Sequence, residues 1–186
     1  MKIGAQRYLN IYESVSLADV CSITQLQPRL PIFAKPMNAP KSLDIVVPCF
    51  NPRPGWEIIL GDAINRIKTQ LPEGVLNSVI VVNDGSTNGV TETIIENLIG
   101  KCSEMKLIEY PQNKGKGFAV RAGVKSSDAE LQIYTDIDIP YVEESIIEFY
   151  RLLADGTADV VVASRGDSYY NSLSAFRRIL SKSLRW

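Results

Sequence analysis

VLNSVIVVNDGST, residues 75–87, runs from a short apolar stretch into a polar turn. The apolar part is rich in β-branched residues and too short for a helix, so it predicts a strand over 75–83 buried on both faces. Four similar runs lie to either side. LDIVVPC (43–49) is stopped by Pro48 and the turn-rich NPRPG, and MKLIEY (105–110), LQIYT (131–135) and ADVVVAS (158–164) follow. Helical patterns separate them. Trp56, Ile59, Leu60, Ala63 and Ile67 make one stripe, VTETIIENLIG (90–100) a second helix and FAVRAGVKS (118–126) a third. Val142, Ile146, Phe149 and Leu153 fall at i, i+4, i+7 and i+11 of a fourth. Apolar strands alternating with helices of this length predict an α/β fold, a Rossmann-like, mostly parallel sheet with helices on both faces.

Outside this repeat the pattern changes. Tyr8, Ile11, Tyr12 and Val15 stand at helical spacing, and prolines at 28, 31, 36 and 40 forbid a helix across 28–40. Residues 1–41 therefore form an N-terminal extension with a proline-rich linker, and residues 42–186 form the domain. An apolar fraction of 45% and a charged fraction of 22% fit a chain able to bury a core. The net charge of −1 supplies no electrostatic case for nucleic acid. The chain has no histidine, which excludes a Ser-His-Asp triad, a Cys-His pair and a histidine-ligated zinc within it. Cys21, Cys49 and Cys102 are odd in number and widely spaced, so a reducing compartment is expected. No apolar run approaches the roughly 18 residues of a membrane span, and MKIGAQRYLNIYES lacks the core of a signal peptide. A cytoplasmic location follows, with peripheral contact at the inner face of a membrane left open.

In parallel sheets, ligands bind outside the carboxyl ends of the strands, so the chemistry is sought in five loops. These carry Pro48-Cys49-Phe50-Asn51, Asn83-Asp84-Gly85-Ser86-Thr87, Asn113-Lys114-Gly115-Lys116-Gly117, Asp136-Ile137-Asp138 and Ser164-Arg165. Carboxylates and cations at one edge suit a metal-bound polyphosphate. Each loop also has a plain structural meaning. Asp84-Gly85 is a common turn, the lysines could be solvated, and Asp138 could cap a helix starting near Pro140. Two other phosphate motifs fail. Neither Gly100-Lys101 nor Gly115-Lys116 has the context of a P-loop, and the dinucleotide fingerprint would need a glycine where Val120 stands.

Taken in order, IVVPCFN, IVVNDGST, NKGKGFAVRAG, YTDIDIPY and VVVASR resemble the family 2 glycosyltransferases of GT-A fold, over about residues 43–186. The lysine–glycine loop leading into AVRAG, and ASR followed by FRRILSKSLR, are most similar to enzymes that transfer hexose to a polyprenyl (dolichyl-type) phosphate. The resemblance implies a nucleoside-diphosphate sugar donor, UDP- or GDP-linked, bound with Mg²⁺ or Mn²⁺. It implies that Asp84 hydrogen-bonds the base, Pro48 and Phe50 shape its pocket, and Asn51, Gly85 and Ser86 belong to the same nucleotide-binding turns. Lys116 and Lys114 are implied near the phosphates. Asp136 and Asp138 match the family's Asp-x-Asp, with Asp138 the better direct metal ligand. Arg165, Arg177 and Arg178 match basic positions near the acceptor phosphate.

The chain departs from the family in three places. Asn51-Pro52-Arg53-Pro54 stands where an acid often follows the first strand. Asn83 replaces the first Asp of the usual Asp-Asp-Gly-Ser. The chain stops at Trp186, where relatives continue with acceptor-binding segments, so a complete donor half and an incomplete acceptor half are expected. Residues 165–186 carry Arg165, Arg177, Arg178, Lys182 and Arg185 against Asp167, beside the apolar stripe of Leu173, Phe176, Leu180 and Leu184. Such a helix suits an anionic lipid surface, or equally a packed helix with one solvated face. The leading expectation is an inverting, metal-dependent transfer of hexose to polyprenyl phosphate. Transfer to a saccharide hydroxyl in envelope polysaccharide synthesis and a non-catalytic nucleotide-sugar-binding module are the alternatives.

Overall fold

The computed structural model describes residues 8–13 and 164–165 as backbone, and residues 40–139 and 143–163 in full. The described residues fall into two compact units. The larger, Met37–Asp155, alternates β2 (Leu43–Cys49), α1 (Trp56–Gln70), β3 (Leu76–Asp84), α2 (Glu92–Lys101), β4 (Met105–Tyr110), α3 (Lys116–Lys125), β5 (Leu131–Tyr134) and α4 (Glu143–Ala154). Its four strands are all parallel, in the order β4-β3-β2-β5. The unit is the expected α/β layer structure.

That order places the binding edge. From β2 the chain steps to β3 and then β4, whereas β5 returns to the far side of β2. The direction of winding reverses between β2 and β5, and right-handed crossovers then put α3 on the opposite face of the sheet from α1 and α2. Val46, Ile80, Val82 and Ala119 form the core under α3. Gly123 brings this helix close, since a Cβ there would lie 2.3 Å from Val46 Cγ1. Side chains alternate along a strand, so Ile45, Val47, Val79 and Val81 face the other side, where they are equally buried.

Two strands match their expected bounds to the residue, and the differences elsewhere have physical causes. In α1 the buried side is Trp56, Leu60, Gly61, Ala63, Ile64 and Ile67, while Ile59 is exposed. Packing on α2 turns the stripe, with Gly61 facing Leu98. The helix after NKGKG begins inside that motif, at Lys116. In α4, Ile146, Ile147, Phe149 and Tyr150 are buried; Val142 lies outside the described residues.

The larger correction concerns the second unit, whose described part includes β1 (Tyr8–Glu13) paired in parallel with β6 (Val160–Arg165). Residues 8–13 are therefore a strand where helical spacing predicted a helix, and β6 pairs with them instead of becoming the fifth strand of the main sheet. Six residues of YLNIYE are too few to separate the two periods, and β-branched and aromatic side chains favour the extended form. The proline-rich segment and residues 166–186 lie outside the described residues, apart from Pro40.

Candidate active site

The site is built at the carboxyl edge by the route α3 must take. To pass from β4 to the far side of β2, the chain has to cross the end of β3. Asp84, the last residue of β3 and 2% exposed, pins it there. Its Oδ1 accepts from Lys114 N at 2.8 Å and its Oδ2 from Gly115 N at 2.9 Å, while Asn113 Nδ2 donates to the Asp84 carbonyl at 3.2 Å. Gly85 makes room for the crossing: it sits at φ 68°, and a Cβ would fall 2.5 Å from Asn113 N. Only glycine meets both demands at no steric cost.

A second knot ties the β2 loop to the β3 loop. Asn51, in the left-handed region at φ 45°, accepts through Oδ1 from Thr87 N (2.8 Å) and Asn88 N (3.2 Å). Its own N–H donates to Ser86 Oγ at 3.0 Å, and Ser86 N donates to Asn83 Oδ1 at 3.0 Å. Trp56 Nε1 donates to Gly89 O at 2.7 Å, holding the same turn to α1. Pro48 is partly buried and Phe50 is 50% exposed beside this knot. Asn83, Gly85, Ser86, Val90, Glu109, Tyr110 and Pro111 line an open cleft of about 420 Å³ at the ends of β3 and β4.

Beyond Asp84 the crossing loop delivers its two lysines differently. The Lys114 ammonium rests on the rings of Tyr110 (5.2 Å to the centroid) and Phe118 (4.6 Å), which themselves meet edge to face. Lys116 reaches β5 and forms an ion pair with Asp136, both side chains remaining well exposed. Thr135 N donates to Val46 O at 3.0 Å, so Asp136 emerges beside the end of β2, at the reversal of winding. Ile139 N donates to Asp136 O at 3.0 Å and closes Asp136-Ile137-Asp138-Ile139 into a turn. Ile139 is held at φ 38°, a costly conformation for a β-branched residue. Asp138 is exposed, and Thr135 is buried with a hydroxyl that has no partner among the described residues.

A thiol and a phenol near this edge are shifted by burial. Burial pushes the Cys49 thiol up to about 12, against a smaller pull from Ser86. Burial, then the neighbouring Asp84 carboxylate, push the Tyr110 phenol up to about 12. Cys49 and Cys102 are both buried and free, and Cys21 lies outside the described residues.

A divalent ion would find two carboxylates here, Asp136 and Asp138. Among the described residues no three His, Cys, Asp or Glu form a protein-only cage. Two exposed carboxylates on one turn are the donor set expected for Mg²⁺ or Mn²⁺ that takes its remaining ligands from phosphate and water, so the residues present fit such an ion.

Asp84 and Gly85 thus hold the crossing loop, Asn51 and Ser86 belong to the neighbouring knot, and Lys116 and Asp136 meet on the turn that carries Asp138. Arg165 ends β6 in the other unit and its side chain is not described; Arg177 and Arg178 lie outside the described residues. The Tyr110–Lys114–Phe118 stack and the Asn51 tie were not anticipated. The aromatic residues flanking NKGKG were the available signal for the first, and Asn between a strand and Pro-Arg-Pro-Gly for the second.

Fold and site together define an α/β protein with an acidic turn and a lysine at the reversal of its sheet. The Glycosyl transferase family 2 profile matches residues 44–185, and the chain belongs to that family. It is similar to the dolichyl-phosphate beta-glucosyltransferase ALG5C of Trichomonas vaginalis, 32% identical over 126 residues covering 64% of this chain and 37% of that protein. It is also similar to an N-acetylglucosaminyltransferase of Bradyrhizobium elkanii, 33% identical over 97 residues, 52% of this chain and 51% of that protein. Among solved structures, GalNAc-T7 with UDP, GalNAc and Mn²⁺ shares the fold at a TM-score of 0.50 and 15% identity, over 62% of this chain and 20% of that one. The chain thus spans about half or less of the length of these relatives. Among the described residues, no helix is long and apolar enough to cross a membrane.

Proposed function

We propose that this chain carries the donor half of an inverting, metal-dependent glycosyltransferase that moves a hexose from a nucleoside-diphosphate sugar to a polyprenyl phosphate. The observation that carries the proposal is the meeting of Lys116 with the Asp136–Asp138 turn where the winding of the sheet reverses, one cation beside two exposed carboxylates. In this reading Asp136 and Asp138 hold Mg²⁺ or Mn²⁺, and Lys116 faces the diphosphate. Pro48 and Phe50 wall the base, and Asp84 reads it with the lone pairs that the loop leaves over. Arg165, Arg177 and Arg178 serve the acceptor phosphate.

The acceptor oxygen forms its bond to the anomeric carbon from the face opposite the diphosphate, and the electron pair of the breaking C–O bond leaves with the nucleotide. A divalent ion supplies Lewis-acid stabilisation of the charge developing on that leaving group. Lys116 adds a fixed positive charge beside it. A sugar hydroxyl would have to lose a proton to a base during attack, whereas a lipid phosphate is already anionic. The phosphate acceptor therefore needs no such base, and the chain has no histidine to serve as one. The dolichyl-phosphate relative supports the same choice. The two relatives' names differ in the sugar, so the hexose is left to experiment.

Thermal unfolding with UDP, GDP, dTDP, CDP and ADP, each with and without Mn²⁺, tests the donor site. A ligand at ~100 times its Kd stabilises the native state by ~2.7 kcal/mol. One diphosphate should stabilise in a metal-dependent way, and labelled sugar should then pass from that donor to polyprenyl phosphate in detergent. Binding without hydrolysis or transfer would favour a non-catalytic module, and transfer to an oligosaccharide alone would replace the acceptor.

A further inference from the structure

We propose that Lys116 is an internal counter-ion that occupies Asp136 in the free protein, so that the metal binds weakly until a nucleoside diphosphate draws Lys116 away. This deepens the proposed function and rests on its assignment of Asp136 and Asp138 to the metal. Lys116 is the first residue of α3, where the positive end of the helix dipole disfavours a cation. The first turn has no acidic residue and the preceding Gly115 offers no side-chain cap, so the turn itself does nothing to offset that charge. Asp136, arriving from β5, supplies the missing anion.

Lys114, the other lysine of the loop, is not available for this task, because its ammonium is stacked on Tyr110 and Phe118. The Lys116 and Asp136 side chains are 58% and 44% exposed, so the pair is solvated and easily exchanged for a better one. A divalent ion approaching Asp136 alone meets the Lys116 ammonium already on that carboxylate and must break the pair against like-charge repulsion. A diphosphate offers Lys116 more negative charge than one carboxylate does, and its transfer to the phosphates frees Asp136. Metal and nucleotide therefore bind with positive coupling that runs through this lysine, in addition to any direct contact between them. Asp138, exposed on the same turn, stays available throughout.

The test is Mn²⁺ binding, followed by the EPR signal of free Mn²⁺, to wild type, Lys116→Met and Lys116→Arg, each without nucleotide and with saturating UDP or GDP. Removing the counter-ion in Lys116→Met should tighten binding of Mn²⁺ alone, on the order of fivefold or more, while weakening the nucleotide; Lys116→Arg should leave Mn²⁺ binding near wild type. Thermal unfolding confirms that each variant is folded, as expected for an exposed side chain. Equal or weaker Mn²⁺ binding by Lys116→Met alone, with wild type still taking up Mn²⁺ and nucleotide together, would overturn the counter-ion role and leave the functional proposal standing. No Mn²⁺ uptake by any protein under any condition would overturn both.

Discussion

Asp84 shows how one residue can be conspicuous in a sequence for two reasons at once. Asn-Asp-Gly-Ser after a strand signals either a turn or a nucleotide site, and the structure assigns Asp84 a definite structural task. Both carboxylate oxygens take backbone N–H groups of the loop that crosses β3. In Asp84→Asn one acceptor becomes a donor facing Lys114 N–H or Gly115 N–H. Stability should fall by about 2 kcal/mol, seen as a lower urea midpoint. If Asp84 also reads the base, the variant measured well below its melting temperature should bind nucleoside diphosphate more weakly even without metal. Asp138 is the opposite case, exposed and outside the core. Asp138→Ala should keep the wild-type melting temperature and lose Mn²⁺-dependent stabilisation by nucleotide; retention of that stabilisation would remove Asp138 from the metal site.

At the level of elements, the strands were the most legible part. β2 and β4 match their expected ends because a short, mostly apolar run bounded by turn residues has little alternative in an α/β chain. Helix faces were less legible, because the partner helix decides which side is buried; Ile59 shares the apolar character of Ile64 but faces solvent. Two helical glycines show the same dependence on partners. Gly100 in α2 has no atom within 4 Å of a would-be Cβ, so Gly100→Ala should stabilise by about 0.5–1 kcal/mol. Gly123 in α3 lies against the sheet, and its Cβ would overlap Val46 Cγ1 at 2.3 Å and crowd Val82 Cγ2 at 3.1 Å. Gly123→Ala should therefore destabilise by roughly 1–3 kcal/mol although alanine is the better helix former. Matched denaturation curves check both, and equal effects from the two substitutions would mean that α3 does not pack this closely.

For the whole molecule, what the sequence left open was long-range pairing. VVVASR is as apolar as the runs that build the main sheet, and nothing local says that its partner is Tyr8–Glu13. The loops that carry Asp84, Lys116 and Asp136 could be placed at one sheet edge from the chain alone because each follows a predicted strand. The path of the crossing loop, which assigns Lys114 to the aromatic rings and Lys116 to Asp136, depends on strand order and could not. The contacts that join elements also set the response of the main unit to acid. Arg66 and Lys68, in the last turns of α1, reach Glu143 at the start of α4 (2.6 Å) and Glu104 at the entry to β4 (2.5 Å). The hydrogen bond from Lys68, helped by donors on Cys102 and Ser103 and opposed by burial, holds the Glu104 carboxyl down to about 2 from its usual 4.5. Glu143 is lowered as well, first by its own backbone N–H and then by Arg66. A carboxyl depressed in the folded state contributes stability above its unfolded value and loses it as pH falls toward the folded one. For Glu104 that window runs from about 4.5 down to about 2. Because Lys68 is half exposed, solvent screens the pair, and Glu104→Gln should cost only about 1 kcal/mol at pH 7. Urea denaturation of wild type and Glu104→Gln at steps from pH 7 to pH 3 should show that gap constant down to about pH 5 and narrowing below it. A gap that stays constant to pH 3 would mean that Glu104 stabilises the unit through its packing and neutral hydrogen bonds, with no share from its charge.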